Sequence, residues 1–327
     1  MRRMGTILLA LVIGVGLAPG AGNAQQPGKV VRIGVLVTSS ASFTGPNVDV
    51  FRQRLRELGY LEGQNLTIEA RYADGKADRL PGFAAELVGL GVDIIVTEGT
   101  PAARAAKQAT TTIPIVLGTI ADPVGTGLVS SLARPGGNIT GSAFLFSDLV
   151  VKRVELLKEA MPGLARVAVL ANPANPVVAL ALKEMEGHGR ALGVELPVVE
   201  ARAADELDRA FSSIVESRVQ VVVVLEDGML HAQARRIAEL AVRNRLPLVF
   251  GPRELAASGF MAYGHNRQEF FRRAADYVDR ILKGARPADL SIELPTRYEL
   301  VVNLANARAL GLSIPSSVLS RAEQVIE

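Results

Sequence analysis

The chain alternates short apolar runs with longer amphipathic stretches. Residues 30–37 form a largely β-branched apolar run, and residues 92–97, 114–120 and 219–225 share this character. Apolar runs without polar alternation predict strands that are buried on both faces, as in parallel sheets. The stretches between them, such as residues 47–58, concentrate apolar side chains on one side and predict helices. The pattern therefore predicts an α/β fold built on parallel sheets.

The predicted elements fall into two halves with the same rhythm. Residues 31–36 resemble residues 165–170 in sequence, and residues 92–96 resemble residues 219–223. This repetition predicts two doubly wound lobes with right-handed crossovers between parallel strands. The predicted strands are 30–37, 66–71, 92–97, 114–120, 139–143, 166–170, 194–199, 219–225 and 246–250, and the predicted helices are 47–58, 79–90, 101–109, 124–132, 149–160, 177–192, 204–217 and 230–243.

Residues 121–141 separate the two halves. Asp122-Pro123 ends one predicted strand, and Arg134-Pro135-Gly136-Gly137-Asn138 interrupts the short predicted helix before the next strand. This concentration of turn-forming residues predicts a segment that crosses between the lobes. The alternative is an ordinary loop inside one large sheet.

The section after residue 258 is too short for a third sheet. It predicts a strand at residues 259–263, a helix at 267–282 and strands at 290–294 and 299–302. We expect the chain to return to the first lobe and cross back, which gives a hinge of three crossings. The expected division is lobe 1 at 29–143 plus 264–288, and lobe 2 at 144–263 plus 289–327.

The N-terminus has the pattern of a secretory signal peptide. A basic start at Arg2-Arg3 precedes an apolar run over residues 7–17 and small residues up to Ala24. We expect cleavage after Ala24 and a periplasmic location. Loss of the two arginines reduces the 36 basic side chains to 34 against 33 acidic ones. This balance predicts no nucleic-acid partner, and the scattered Arg and Glu residues are expected on solvated helix faces.

Motifs of catalysis are missing from the chain. It has no cysteine, which excludes a structural disulfide, a thiol nucleophile and a Cys-ligated zinc. It has no P-loop, no complete dinucleotide fingerprint, no Gly-x-Ser-x-Gly and no His-Glu-x-x-His. His188, His231 and His265 are far apart and are expected to be solvated or capping residues. We therefore expect no catalytic residue, no metal site and no cofactor.

Polar residues follow the predicted strands in both halves. Ligands of open parallel sheets bind beyond the carboxyl ends of the strands, so these residues are expected to face one another across a cleft. Hydroxyls and helix N-termini would hold a carboxylate, and Asp227, Glu226 or Glu98 would pair with an ammonium. Caps and turns are the alternative roles of each residue. The predicted ligand-binding residues are Thr38, Ser39, Ser40, Phe43, Glu98, Gly99, Thr100, Asp122, Asn172, Glu226, Asp227 and Tyr263.

Aromatic residues near these loops would contact an apolar ligand group. Tyr263, beside Gly264 at the expected return crossing, is the one singled out. Phe144 and Phe146 are expected to pack in the core or at the hinge instead.

Five sequence blocks resemble a known family. They are Gly59-Tyr-Leu-Glu-Gly-Gln-Asn-Leu66, Thr97-Glu-Gly-Thr-Pro-Ala-Ala103, Asp122-Pro-Val124, Ala133-Arg-Pro-Gly-Gly-Asn-Ile-Thr-Gly141 and Ile281-Leu-Lys-Gly-Ala-Arg-Pro287. Together they resemble the substrate-binding proteins of ABC transporters, in the group related to the tryptophan-binding type. The resemblance implies a type I periplasmic-binding fold without catalysis. Glu98 and Glu226 depart from the family pattern, and they would favour an amino-bearing ligand or would face solvent.

The sequence therefore predicts a periplasmic solute-binding protein of an ABC importer. Its lobes would close on a small polar or amphipathic ligand, such as an amino acid or a small carboxylate. We expect a monomer that docks transiently on a permease in the inner membrane. The alternative is a ligand-sensing module that presents its closed form to a membrane receptor, and a secreted doubly wound enzyme is a third possibility that the missing motifs disfavour.

Overall fold

The computed structural model describes residues 30–327, which form two α/β lobes. The predicted signal peptide, residues 1–24, lies outside the described residues. In lobe 1, five parallel strands lie in the order β2-β1-β3-β4-β5, with a hydrophobic core on each face of the sheet. The strands are β1 Val31–Val37, β2 Leu66–Tyr72, β3 Ile94–Glu98, β4 Ile115–Ala121 and β5 Ile139–Phe144, and the helices are α1 Ala41–Glu57, α2 Leu80–Gly89 and α3 Thr100–Ala109.

Lobe 2 contains a seven-stranded sheet in the order β7-β6-β8-β9-β10-β11-β12. Its first five positions repeat the order of lobe 1, and every neighbouring pair is parallel except β10 with β11. The strands are β6 Val167–Ala171, β7 Val198–Glu200, β8 Val221–Val224, β9 Leu248–Phe250, β10 Met261–Gly264, β11 Glu299–Asn303 and β12 Gln324–Ile326. The helices from here on are α4 Phe146–Ala160, α5 Pro176–Leu192, α6 Leu207–Glu216, α7 Gly228–Ala232, α8 Ala234–Arg243, α9 Arg267–Leu282, α10 Leu304–Ala309 and α11 Ser316–Leu319.

The predicted α/β fold with two parallel-sheet lobes is confirmed. Strands β3, β4 and β8 are buried along their whole length, as their apolar runs predict. Helix α9 has the bounds that the sequence predicts. Within residues 30–327, no helix is both long and apolar enough to cross a membrane.

The helix predicted over residues 124–132 was wrong, because this segment is a series of turns. Gly127 has a φ of 71°, outside the helical region. The Lys107 ammonium of α3 donates to the carbonyl oxygens of Gly127 and Leu128 at 2.8 and 3.0 Å. These bonds give the backbone carbonyls partners that a helix would otherwise supply.

The start of α1 and the helix expected before β9 also differ from the prediction. Helix α1 begins at Ala41, before Pro46, whereas the sequence suggested a start after this proline. The helix expected over residues 230–243 is two helices, α7 and α8, which meet at Gln233.

The hinge places a helix of each lobe directly after a strand of the other. Strand β5 ends lobe 1 at Phe144, and α4 begins lobe 2 at Phe146. The return runs from β10 through His265 and Asn266 into α9, which packs against α1 and β4 of lobe 1. Each lobe is therefore completed by a helix that follows the fifth strand of the other lobe: α4 follows β5, and α9 follows β10.

The segment after α9 stays on lobe 1 for longer than the sequence-based division assumed. The strand predicted over residues 290–294 is reduced to a single bridge between Glu293 and Ser142 of β5. The Ile292 N–H also donates to the Leu132 carbonyl at 2.7 Å. We therefore propose that the third crossing occupies residues 295–298 rather than the 288/289 boundary.

The lobes touch where two glycines leave no room for a side chain. A Cβ on Gly228, the first residue of α7, would lie 2.5 Å from Thr38 Cγ2 of lobe 1 and 3.0 Å from its carbonyl carbon. A Cβ on Gly75 of lobe 1 would lie 2.6 Å from Met229 Cα of lobe 2. Thr38 cannot rotate away freely, because its hydroxyl donates to the Glu98 carbonyl at 2.9 Å. Close contact of the lobes therefore requires glycine at these positions.

Gly228→Ala should hold the lobes apart without damaging lobe 2, since Gly228 does not have a positive φ and alanine favours a helical position. The chain has no cysteine, so cysteines introduced at the exposed Asp78 and Asp205 can carry a fluorophore pair, one on each lobe. We expect lower energy transfer in G228A and an unchanged unfolding temperature. Gly187→Ala in α5, where a Cβ meets nothing within 4 Å, is the control. Equal energy transfer in G228A and the control would contradict the steric argument.

Candidate functional site

A cavity lies between the lobes at the carboxyl ends of the strands. Residues of both lobes contribute to its wall. His265, which lies in the second crossing between β10 and α9, contributes as well. This is the position at which open parallel sheets bind ligands. The lining residues are Glu98, Gly99, Thr100, Pro101, Thr119, Ala121, Phe144, Asn175, Val177, Glu226, Asp227, Gly228, His231, Pro252, His265 and Arg267.

On the lobe 1 side, Glu98 at the end of β3 pairs with Arg267 at the start of α9. Arg267 is 1% exposed, and its Nη2 donates to Glu98 Oε1 at 3.0 Å. Its guanidinium carbon lies 4.2 Å from the centroid of the Phe43 ring. The Nη1 atom, which is equally buried, has no hydrogen-bond partner within the described residues. Arg267 therefore has an unused donor in the wall of the cavity.

The N-terminus of α3 adds further donors on this side. The helix begins at Thr100, directly after the strand end, and Gly99 precedes it with a φ of 87°. Among the described residues, no side chain caps its first turn with a hydrogen bond. The unpaired N–H groups and the helix dipole favour a negative charge at this point.

On the lobe 2 side, Glu226 after β8 pairs with Arg153 of α4. Arg153 is 0% exposed, and its Nη1 and Nη2 donate to the two oxygens of Glu226, the first at 2.9 Å. Its Nε donates to the Tyr263 carbonyl at 2.8 Å, which ties α4 to β10. A Cβ on Gly251 would overlap both partners of the pair. The charge of Glu226 is therefore balanced by an arginine of the protein, as is the charge of Glu98.

Asp227 is the acidic residue of the cavity wall without a cationic partner among the described residues. Its Oδ1 accepts from the backbone N–H groups of Met229 and Leu230 and from Asn172 Nδ2, at 2.9 to 3.1 Å. Its Oδ2 accepts from Asn175 Nδ2 at 3.2 Å. Burial raises the pKa of the Asp227 carboxyl above its ordinary value, and these hydrogen bonds oppose the shift. Oδ2 retains a lone pair for a further donor.

Two buried histidines complete the wall, and the expectation that they would be solvated or capping was wrong. His231 packs against Phe43 of lobe 1 with the ring centroids 4.9 Å apart. His265 of the second crossing packs between Phe144 and Phe270. Burial and the nearby charges of Arg267 and Arg153 hold the pKa of both histidines well below its usual value. Both are therefore neutral at pH 7. His188 is exposed on α5.

Five of the residues predicted to bind a ligand line the cavity: Glu98, Gly99, Thr100, Glu226 and Asp227. Four others lie directly behind it. Ser39 donates a hydrogen bond to Glu98 Oε2 at 3.2 Å, and the Thr38 hydroxyl donates to the Glu98 carbonyl. Asn172 donates to Asp227. The Phe43 ring lies against the Arg267 guanidinium.

Three predicted residues lie away from the cavity wall. The Asp122 carboxylate accepts from the Phe146 N–H at 3.0 Å, at the start of α4. The Tyr263 ring packs against Tyr298, 6.0 Å between centroids. Ser40 precedes α1 and its hydroxyl pairs with that of Ser42. Asp122 therefore serves the start of α4 and Ser40 a local contact before α1, whereas Tyr263 packs against another ring.

The sequence analysis did not identify Arg153, Arg267, His231, His265 or Asn175. The two arginines were expected on solvated helix faces, but both point into a lobe and neutralise a buried glutamate. A usable signal was present, because Glu98 and Glu226 both stand near the carboxyl end of the third strand of their half. Acids buried at these strand ends need partners that compensate their charge, and a buried cation is such a partner.

Comparisons with known proteins agree with this fold. The sequence model of a family described as ABC transporter substrate binding protein matches residues 32–326. A tyrosine-binding protein of Clostridioides difficile (strain R20291) is 26% identical over 263 residues, 80% of this chain and 75% of that protein.

Two solved structures share the fold over nearly their full length. A conserved domain protein of Vibrio cholerae is 29% identical with a TM-score of 0.84, covering 91% of this chain and 100% of that one. The ABC domain from Streptococcus pneumoniae in complex with L-Trp is 24% identical with a TM-score of 0.84, covering 90% and 99%.

Arg153→Met should strongly destabilise lobe 2, because it leaves Glu226 buried without its cation. Loss of one partner of a buried pair costs about 3–5 kcal/mol. The double variant R153M/E226Q removes both charges and should recover part of the loss. Urea unfolding of the single and double variants measures this coupling.

The control for this experiment is Arg190→Met in α5. Arg190 lies 3.5 Å from Glu186, and their side chains are 77% and 75% exposed. Such a pair contributes at most about 1 kcal/mol. If R153M behaves like R190M, or if the double variant is no more stable than R153M, the assigned role of the buried pair is wrong.

Proposed function

The chain belongs to the family of ABC transporter substrate-binding proteins, and from this premise we propose that it binds an aromatic L-amino acid between its lobes and delivers it to the permease of an importer. Members of this family bind their substrate and do not catalyse a reaction. Two relatives carry ligand names of this class, tyrosine for the Clostridioides difficile protein and L-Trp for the Streptococcus pneumoniae complex. The opposite electrostatic character of the two cavity walls supports the proposal most directly.

The lobe 1 wall suits the carboxylate of an amino acid. It combines the uncapped N-terminus of α3 with the unused Nη1 donor of Arg267. Helix N-termini and arginine are the groups that proteins use most often for carboxylates. The charge of Arg267 is balanced by Glu98, so the wall offers donors without a strong net field.

The lobe 2 wall suits the ammonium group. Its two helix N-termini are already capped by their own side chains, α5 by Asn175 and α7 by Asp227. These caps occupy the N–H groups of Val177, Met229 and Leu230, which are therefore not free for an anion. Asp227 instead presents a buried carboxylate that has no cation beside it in the described part of the chain, and an ammonium would supply one.

Flat and apolar groups fill the remaining wall. Phe144, His231 and His265 offer ring surfaces, and Pro101, Pro252 and Val177 offer apolar contacts. Glu98 and Glu226 do not favour a cationic ligand, since both are neutralised by arginine. A zwitterion with an apolar or aromatic side chain therefore fits this set of groups best.

Binding requires movement of the lobes. With the lobes in contact the cavity measures about 40 Å³, whereas ligand pockets typically measure ~300 Å³ or more. An amino acid would enter an open form and hold both lobes through its two charged ends. A ligand shifts such an equilibrium only by binding one form more tightly than the other. The transported cargo would be taken up in the periplasm and released at an inner-membrane permease.

Calorimetry across a panel of amino acids tests the proposal. The protein should be unfolded and refolded first, to remove any ligand retained during purification. An aromatic L-amino acid should bind with a Kd of roughly micromolar, equivalent to about 8 kcal/mol. Its N-acetyl derivative and the matching amine without a carboxylate should each bind at least about tenfold more weakly. Absence of binding by every aromatic amino acid would reject the proposal.

Asp227→Asn should weaken the binding of that amino acid by roughly 10- to 100-fold, because a charge-assisted hydrogen bond contributes about 1.5–3 kcal/mol. The unfolding temperature without ligand should change little. The amide oxygen can still accept from Met229 and Leu230, and removal of the buried charge offsets the bond lost to Asn175. Calorimetry and thermal unfolding measure the two quantities.

Asp205→Asn is the matched control, since it removes the same charge from an exposed position of lobe 2. It should leave the affinity within about twofold, as expected of a screened surface charge. An unchanged affinity in D227N would remove Asp227 from the ammonium site.

A further inference from the structure

His265 is a buried polar side chain whose hydrogen-bonding capacity is unused. It is 4% exposed, and neither ring nitrogen has a hydrogen-bond partner within the described residues. A neutral imidazole has one N–H donor and one acceptor nitrogen. Leaving such groups unpaired in a protein interior is unfavourable, because they lose the hydrogen bonds that water would give them. Buried orphan groups of this kind need an explanation.

The surroundings of His265 leave only the ring edge for a partner. Its centroid lies 4.2 Å from that of Phe144 and 4.6 Å from that of Phe270, so aromatic rings flank it. These neighbours have no hydrogen-bonding side-chain atoms. The same residue lines the cavity between the lobes, at the second crossing. A group inside the cavity is therefore positioned to reach the imidazole edge.

We propose that His265 determines specificity by favouring ligands whose aromatic ring carries a hydrogen-bonding group, so that L-tyrosine binds more tightly than L-phenylalanine. The inference rests on the proposed binding of an aromatic amino acid and adds a selection among such ligands. A phenol hydroxyl both donates and accepts, as a neutral imidazole does. Phenylalanine would bury the ring nitrogens without a partner. A site built for a hydroxyl rejects the analogue that lacks it.

The charges around His265 disfavour an acidic ligand side chain. The positive charge of Arg267 is balanced by Glu98, and that of Arg153 by Glu226. These two arginines and burial keep His265 neutral. A second carboxylate would thus find no uncompensated cation, whereas a neutral hydroxyl would find a neutral partner. Thr119 also lines the cavity, and its hydroxyl has no hydrogen-bond partner within residues 30–327, which adds a second neutral group to the wall.

Calorimetry with L-tyrosine, L-phenylalanine and L-glutamate on the natural sequence and on three variants tests the inference. The natural sequence should bind tyrosine at least about tenfold more tightly than phenylalanine. His265→Leu should reduce this ratio to within about threefold, because tyrosine loses its partner and phenylalanine no longer leaves a nitrogen unpaired. His265→Gln, which keeps one donor and one acceptor, should retain a clear preference for tyrosine.

His188→Leu, on the exposed face of α5, is the control and should leave the ratio unchanged. Retained binding of phenylalanine shows that the His265→Leu variant is folded. The inference is overturned if the natural sequence binds tyrosine and phenylalanine equally, if L-glutamate binds more tightly than tyrosine, or if H265L keeps the full ratio. A failure of the proposed function looks different, since no aromatic amino acid would then bind at all.

Discussion

Two buried arginine–glutamate pairs fix the geometry on which the cavity depends. Arg267 pairs with Glu98 in lobe 1 and Arg153 pairs with Glu226 in lobe 2, although Arg267 is the first residue of α9 and Arg153 lies inside α4. Glu98 ends β3 and Glu226 follows β8, the third strands of their halves, and each arginine belongs to the helix that enters its lobe across the hinge. Because removing ions from water costs several kcal/mol per ion, neither pair tolerates the loss of one partner. The pairs therefore lock the crossing helices onto the strand ends that form the cavity wall.

The two lobes share one topology but have diverged in how their helix ends are satisfied. In lobe 1, α3 starts behind a glycine and leaves its first turn without a side-chain acceptor. In lobe 2, Asn175 and Asp227 supply those acceptors to α5 and α7. The same backbone arrangement thus presents donors on one wall and a carboxylate on the other. A duplicated framework becomes an asymmetric site through the identity of its cap residues.

The cavity retains polar groups that the fold itself does not satisfy. Arg267 Nη1, Thr119 Oγ1 and both nitrogens of His265 are buried without partners among the described residues. Such groups lower stability, and proteins tolerate them mainly at functional sites. The lobes also meet at glycines, Gly75 and Gly228, so that backbone approaches the opposite lobe closely. Both features fit a site whose final partner is a ligand rather than another part of the chain.

The sequence by itself determined the α/β class, the two lobes and the strand ends that line the cavity, because the order of apolar runs and glycines is local information. It also placed Glu98, Thr100, Glu226 and Asp227 at or near strand ends, and these residues line the cavity. Only the tertiary structure decided that arginines balance the charges of the two glutamates and that His231 and His265 are buried. The two partners of each ion pair are far apart in the sequence. They are separated by 73 residues in Arg153–Glu226 and by 169 residues in Arg267–Glu98. A helical arginine looks the same in sequence whether it faces water or a buried acid, and packing alone settles which.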